Sequence, residues 1–157
     1  MSNRAVTIAL VGCSARKLDH PAPALDLYQG VLFKAARAWA ERNADGWFVL
    51  SAKHGLIGPG QMIEPYDQTL NRMSAAARRE WAERVYQRMW AMSVVASVMS
   101  FTCITWVFLA GQAYCAPILL FTKVDVGQMH IAFETPLAHL GIGQQIRWLR
   151  AAGGEKR

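Results

Sequence analysis

The densest chemistry in the chain is Ser51-Ala52-Lys53-His54-Gly55-Leu56, where a hydroxyl, an ammonium and an imidazole fall within four residues behind the apolar run Trp47–Leu50. An imidazole titrates near neutrality and can take or give a proton, and Gly55 lets the backbone turn sharply beside it. The plainer role for His54 is to order its loop by bonding a carbonyl. Downstream, Ile63-Glu64-Pro65-Tyr66-Asp67 adds carboxylates and a phenol on a Gly/Pro-rich loop. Ordered polar residues on such loops serve function more often than those in a core, although Glu64 and Asp67 equally suit solvated loop charges. His54, Asp67 and Ser51 are the candidates for catalysis.

A second cluster, Gly12-Cys13-Ser14-Ala15-Arg16-Lys17, follows the apolar run Ala5–Val11. A glycine, small side chains with polar tips and a lysine suit a phosphate or carboxylate held by opening backbone N–H groups. The GxxxxGK spacing of a P-loop is absent, which excludes that mechanism. Two readings of Cys13 stand, a nucleophile activated by Lys17 or a helix N-terminus and a small buried thiol; the plainer reading of the loop is that Gly12 ends the strand and Arg16 and Lys17 are solvated. A third loop, Gly111-Gln112-Ala113-Tyr114, follows Cys103–Leu109. Candidate ligand contacts are therefore Cys13, Ser14, Lys17, Lys53, Tyr66, Gln112 and Tyr114.

Positioning these loops together requires parallel strands. The three apolar runs read as strands buried on both faces, and Met129–Phe133 as a fourth. Between them, Leu25, Tyr28, Leu32, Ala36 and Trp39 form one helical stripe, and Ala77, Trp81, Val85, Met89 and Met92 another behind a Ser74 cap. Further helices are predicted over 112–121, with an irregularity at Pro117, and over 143–151, with Ile146 and Leu149 inward and Arg147 and Arg150 outward. The fold class is α/β: a mostly parallel sheet of about four strands flanked by helices on both faces. With no linker or repeat, residues 1–157 read as a single domain. Ligands of such sheets gather outside the carboxyl ends of the strands, so the three loops are expected to face one cleft.

Composition narrows the partners. At 157 residues and 53% hydrophobic, the chain can bury a full core, and it is neither a disordered tail nor a stapled miniprotein. Its 17 Lys and Arg against 11 Asp and Glu leave +6, which favours an anionic partner, nucleotide or nucleic acid. Cys13, Cys103 and Cys115 show no CxxC and no paired histidine, so no metal site and no cofactor is expected, and a reducing cytoplasm fits. The short apolar N-terminus lacks a signal-peptide pattern. No charge lies between Arg88 and Lys123, yet Ser93, Ser97, Ser100 and Thr102 and the β-branched TCITWVFLAG point to a helix, a turn and a buried strand rather than a membrane span.

Three elements together carry a resemblance: GCSARK with Leu27-Tyr28, LSAKHGL with Glu64-Pro65-Tyr66-Asp67, and LAGQAY followed by PLAHLGIGQQIRWL. Over about Ala5 to Leu149 the chain resembles a bacterial and phage domain family of uncharacterised function, itself remotely similar to the YaaA peroxide-stress proteins. The YaaA likeness rests on a small-residue loop after the first strand and on Ser51, Gly55, Leu56, Pro65 and Tyr66. The resemblance implies a nucleotide or nucleic-acid context, since YaaA-type proteins are linked to DNA binding and to protection from oxidative damage. The helical hairpin by which they bind DNA has no evident counterpart here. Two functions follow: an enzyme acting on a nucleobase, nucleoside or nucleotide, with glycosidic-bond or base-modification chemistry preferred, or a binding module that grips DNA or RNA without turnover. A third expectation is a subunit whose apolar 91–122 region packs on a partner, as a homodimer or as a toxin, defence or phage accessory component.

Overall fold

The computed structural model of the protein describes residues 4–99, 101–123 and 130–151. Along the chain run β1 (Arg4–Gly12), β2 (Ala22–Pro23), α1 (Ala24–Leu27), α2 (Val31–Asn43), β3 (Gly46–Ser51), β4 (Gly55–Ile57) and β5 (Met62–Ile63). There follow α3 (Ala75–Val98), β6 (Phe101–Leu109), α4 (Gln112–Leu119), β7 (His130–Glu134) and α5 (Ile142–Ala151). The main sheet has the order β4-β3-β1-β6-β7, parallel except that β4 runs antiparallel to β3. The expected α/β class holds, with a fifth strand added.

Apolar runs become strands here because both faces are covered. Ala9 and Val11 of β1 pack into the same cluster as Phe33 and Ala36 of α2 and Leu149 of α5. Leu10 packs into the other cluster, with Trp81, Val85 and Met89 of α3 and Ile118 of α4. Period-two alternation thus sends successive residues of one strand into two separate cores. Ser74 caps α3 as its sequence predicts, its Oγ accepting from the Ala77 amide at 3.1 Å.

The uncharged stretch resolves as helix and strand. Ser93 is buried in α3, where its Oγ donates to the Met89 carbonyl at 2.9 Å and accepts from the Trp106 indole of β6 at 3.2 Å. A serine in this apolar run therefore ties helix to sheet. No helix among the described residues is long and apolar enough to cross a membrane.

Two sequence expectations need correction. The stripe from Leu25 to Trp39 is not one helix: α1 ends at Leu27, Tyr28 is extended (φ −84°, ψ 123°) and bridges Lys17, and α2 starts after Gly30. A Cβ on Gly30 would stand 2.7 Å from the Ser14 Cβ, so the chain is pinned against the first loop at this point. Gly55–Ile57, read as loop, is β4; Gly55 takes φ 72°, open to glycine and strained for other residues, and so turns the chain back on β3. The fourth expected strand is β7, although Met129 lies outside the described residues. In α5, Leu149 points inward and Arg147 and Arg150 outward as expected, while Ile146 is only half-buried and Gln145 takes a buried position.

At the carboxyl end of β1 a Cβ on Gly12 would lie 2.9 Å from the Ala110 Cβ and 3.3 Å from its Cα. Gly12→Ala should therefore destabilise the fold by about 1–3 kcal/mol, the usual penalty of overpacking. Gly58→Ala, with nothing within 4 Å of the added carbon, is the matched control in urea unfolding, and equal midpoints for the two variants would refute the close approach.

Candidate functional site

Parallel pairing of β1 with β3 and β6 places the loops after all three at one edge of the sheet. The Cys13 amide continues the ladder by donating to the Leu50 carbonyl at 3.0 Å. From β1 the chain moves outward to β3 on one side, whereas β6 leads to β7 on the other. The crevice between the ends of β1 and β6 is thus the topological switch point where α/β sheets bind ligands. Cys13 sits there, touching the cores on both faces of the sheet, with its Sγ 3.2 Å from the Tyr114 hydroxyl of α4.

A chain of hydroxyls joins the other loops. Tyr66 Oη lies 2.7 Å from Ser51 Oγ and 2.8 Å from Tyr28 Oη, and Ser51 Oγ also accepts from the His54 amide at 3.0 Å. The Trp81 indole of α3 donates to the Ser51 carbonyl at 2.9 Å, which anchors the end of β3 from the opposite face. Tyr28 belongs to this cluster, a role its place in an apparent helical stripe concealed. Only Leu27-Tyr28 in the family resemblance hinted at it.

Around the hydroxyls lie the cations. Lys17 Nζ stands 4.3 Å from the Tyr66 ring centroid and 5.7 Å from that of Tyr28, while Lys53 Nζ stands 5.9 Å from Tyr66. The His54 ring meets Tyr66 edge-on with centroids 5.5 Å apart. Neither lysine has a carboxylate partner among the described residues. A lysine ammonium over an exposed aromatic ring gains about 0.5–1 kcal/mol, which orients it without neutralising it.

The electrostatics sort the roles. Burial, reinforced by Cys13, pushes the Tyr66 and Tyr114 phenols far above their ordinary range, and burial raises Tyr28 as well. All three stay protonated at neutral pH and act as hydrogen-bonding groups. Burial and then the Lys53 charge hold the His54 imidazole below its ordinary value, so it is neutral at pH 7 and able to accept a proton. Cys115, inside the fold, is pushed up to about 12 by burial and donates to the Ala110 carbonyl.

The structure thus gathers Cys13, Lys17, Ser51, Lys53, His54, Tyr66 and Tyr114 at one edge. Ser51 is wholly buried, so it positions Tyr66 and the His54 loop. Ser14 orders the first loop, donating to the Arg16 carbonyl and accepting from the Gly30 amide. Asp67 stands apart, its side chain 94% exposed and 3.7 Å from Arg72. Gln112 lines a different cavity, at the ends of β6 and β7. Among the described residues no group of three or more His, Cys, Asp or Glu is placed to hold a metal ion.

Tyr66→Phe removes the oxygen shared by Tyr28 and Ser51 and leaves two buried hydroxyls short of a partner. The expected loss is about 1–3 kcal/mol of stability. Thermal unfolding checks it: a midpoint equal to that of the parent chain would mean that the hydroxyl chain holds nothing together.

No curated protein matches the chain. One family model does match, over residues 8–151, from within β1 to the last residue of α5. On that match the chain belongs to a family of unknown function, DUF6884.

Proposed function

We propose that the carboxyl edge of the sheet binds the anionic group of a nucleotide or nucleic-acid component, and that the chain is an enzyme acting on it. The observation that carries this reading is the convergence of Lys17 and Lys53 on Tyr66, with no carboxylate partner for either among the described residues. In this role the two ammonium groups hold phosphate, and neutral His54 accepts the proton that moves during reaction. Tyr28, Tyr66 and Ser51 keep the loops at fixed spacing. In glycosidic-bond or base-modification chemistry such a proton acceptor serves to activate a water or another nucleophile. The likeness of Ser51, Gly55, Leu56, Pro65 and Tyr66 to the YaaA pattern supports the nucleic-acid context, and the free thiols of Cys13, Cys103 and Cys115 suit a reducing cytoplasm.

A second reading has its own observation. A groove of about 490 Å³ between α2 and α5 is lined by Lys34, Arg42 and Arg150 and by no acidic residue among the described ones. None of the three cations has an ion-pair partner among the described residues. This surface favours a module that grips DNA or RNA through its phosphates without turnover.

Calorimetric titration with pyrophosphate separates the two. A hydrogen bond to a charged group is worth about 1.5–3 kcal/mol, so Lys17→Ala and Lys53→Ala should each weaken binding about tenfold or more. Replacing Lys34, Arg42 and Arg150 together with alanine should leave that affinity unchanged. The opposite pattern would transfer binding to the groove.

Once a substrate is known, His54→Gln should slow turnover by about 100- to 10,000-fold with binding little affected. Because the His54 pKa is lowered, the parent rate should hold as pH falls to about 6.5 and decline only below it. Full turnover in the variant, with the acidic limb intact, would reduce His54 to a loop-ordering residue.

A further inference from the structure

Beside the lysine cluster, at the carboxyl ends of β6 and β7, a separate cavity of about 270 Å³ opens. The first turn of α4 divides the two. Tyr114 reaches Cys13, whereas Gln112 and Cys115 line the cavity. Residues two positions apart on a helix lie about 200° apart around its axis, which sends Gln112 and Tyr114 to opposite sides.

The walls are polar: Gln112, Thr135, His139 and Gln145 stand among small and aliphatic residues such as Ala110 and Leu137, with no Lys, Arg, Asp or Glu among the described lining residues. Gln145 is only 9% exposed. Its Nε2 donates to the Leu140 carbonyl at 2.8 Å and to the Leu137 carbonyl at 3.4 Å, which fixes the orientation of the amide. Its Oε1 receives no donor among the described residues and so stays open as an acceptor beside the cavity. Gln112, Thr135 and His139 likewise offer side chains without a hydrogen-bond partner among the described residues. His139 takes φ 64°, in the left-handed region, although it is not glycine. The segment that lines the cavity is therefore held in a conformation its sequence does not favour.

A drug-sized ligand needs a pocket of about 300–1,000 Å³, so this volume suits a smaller unit, one heterocycle. With no Lys or Arg among the described lining residues, phosphate finds no fixed counter-charge there. Gln112 presents a donor and an acceptor side by side, and Gln145, its two N–H groups already used, adds the acceptor Oε1, a set that matches the edge of a nucleobase. A phenol ring can stack on a base, but the Tyr66 face carries the Lys17 ammonium. From these observations we infer that the cavity is the recognition pocket for the uncharged heterocyclic base of the ligand, read through Gln112 and Gln145. The inference rests on the nucleotide reading above and assigns its base and its phosphate to two sides of α4.

Nucleosides, which lack phosphate, test the pocket without the lysines. NMR titration of the full chain with adenosine, guanosine, cytidine and uridine should show binding of at least one. Gln112→Ala should weaken that binding about tenfold or more, the discrimination a good bidentate base contact supplies, and Gln145→Met, which removes a single acceptor, should weaken it about two- to tenfold. Lys17→Ala should leave nucleoside affinity unchanged while weakening pyrophosphate. Should Gln145→Met unfold, Gln112→Ala decides alone, since Gln112 is exposed at the start of α4. Pyrophosphate binding with no nucleoside bound, or nucleoside binding indifferent to both glutamine variants, overturns the pocket and leaves the lysine site standing. Nucleoside binding that depends on the glutamines, with no pyrophosphate bound, supports the pocket and overturns the lysine site.

Discussion

One phenol oxygen, that of Tyr66, meets Ser51 at 2.7 Å and Tyr28 at 2.8 Å, and on this junction three segments distant in the chain depend. Tyr28 precedes α2, Ser51 ends β3, and Tyr66 follows β5. Burying hydroxyls is costly unless each finds a partner, and here each satisfies another. Burial keeps the phenols protonated, so the junction retains its donors across the physiological pH range. Lys17, Lys53 and His54 are arranged about the ring that this junction fixes.

The sheet supplies the platform. Because β1 is flanked in parallel by β3 and β6, the loops that follow these strands must emerge together. Gly12 and Ala110 leave so little space that the β1 and β6 ends approach closely, and the crevice beyond them is spanned by Cys13 and Tyr114. Buried polar contacts on the α3 face, Trp81 to Ser51 and Ser93 to Trp106, lock helix and strands in one register. The platform is thus rigid where the candidate ligand groups are carried.

Long apolar runs made β1, β3 and β6 legible from residue order alone, because a strand covered on both faces has no polar alternation to confuse. The shortness of β4 hid it: three residues after a turn give no period to detect. Tyr28 was misread because it falls at helical spacing with Leu25 and Leu32, and only the contact of Gly30 with Ser14 shows why the helix cannot continue through it. Strand-end residues of the first two loops were recognisable by type, as loops at carboxyl edges must be polar if they bind anything. The division of labour among them was not. Ser51 as a buried strut, Asp67 in solvent and Gln145 as an inward amide are set by tertiary packing that local sequence does not carry.

Two lysines on the loops after β1 and β3, with no carboxylate partner among the described residues, rather than net charge alone, set the edge apart from the rest of a basic surface. The measurement that tests this most directly is a ¹⁵N-resolved NMR titration of the intact chain with pyrophosphate at low salt, following every backbone amide. The account predicts that shifts concentrate at residues 12–17 and 51–55, the loops that carry Lys17 and Lys53. Shifts confined to α2 and α5, around Lys34, Arg42 and Arg150, would contradict it and make the helical groove the anion-binding surface.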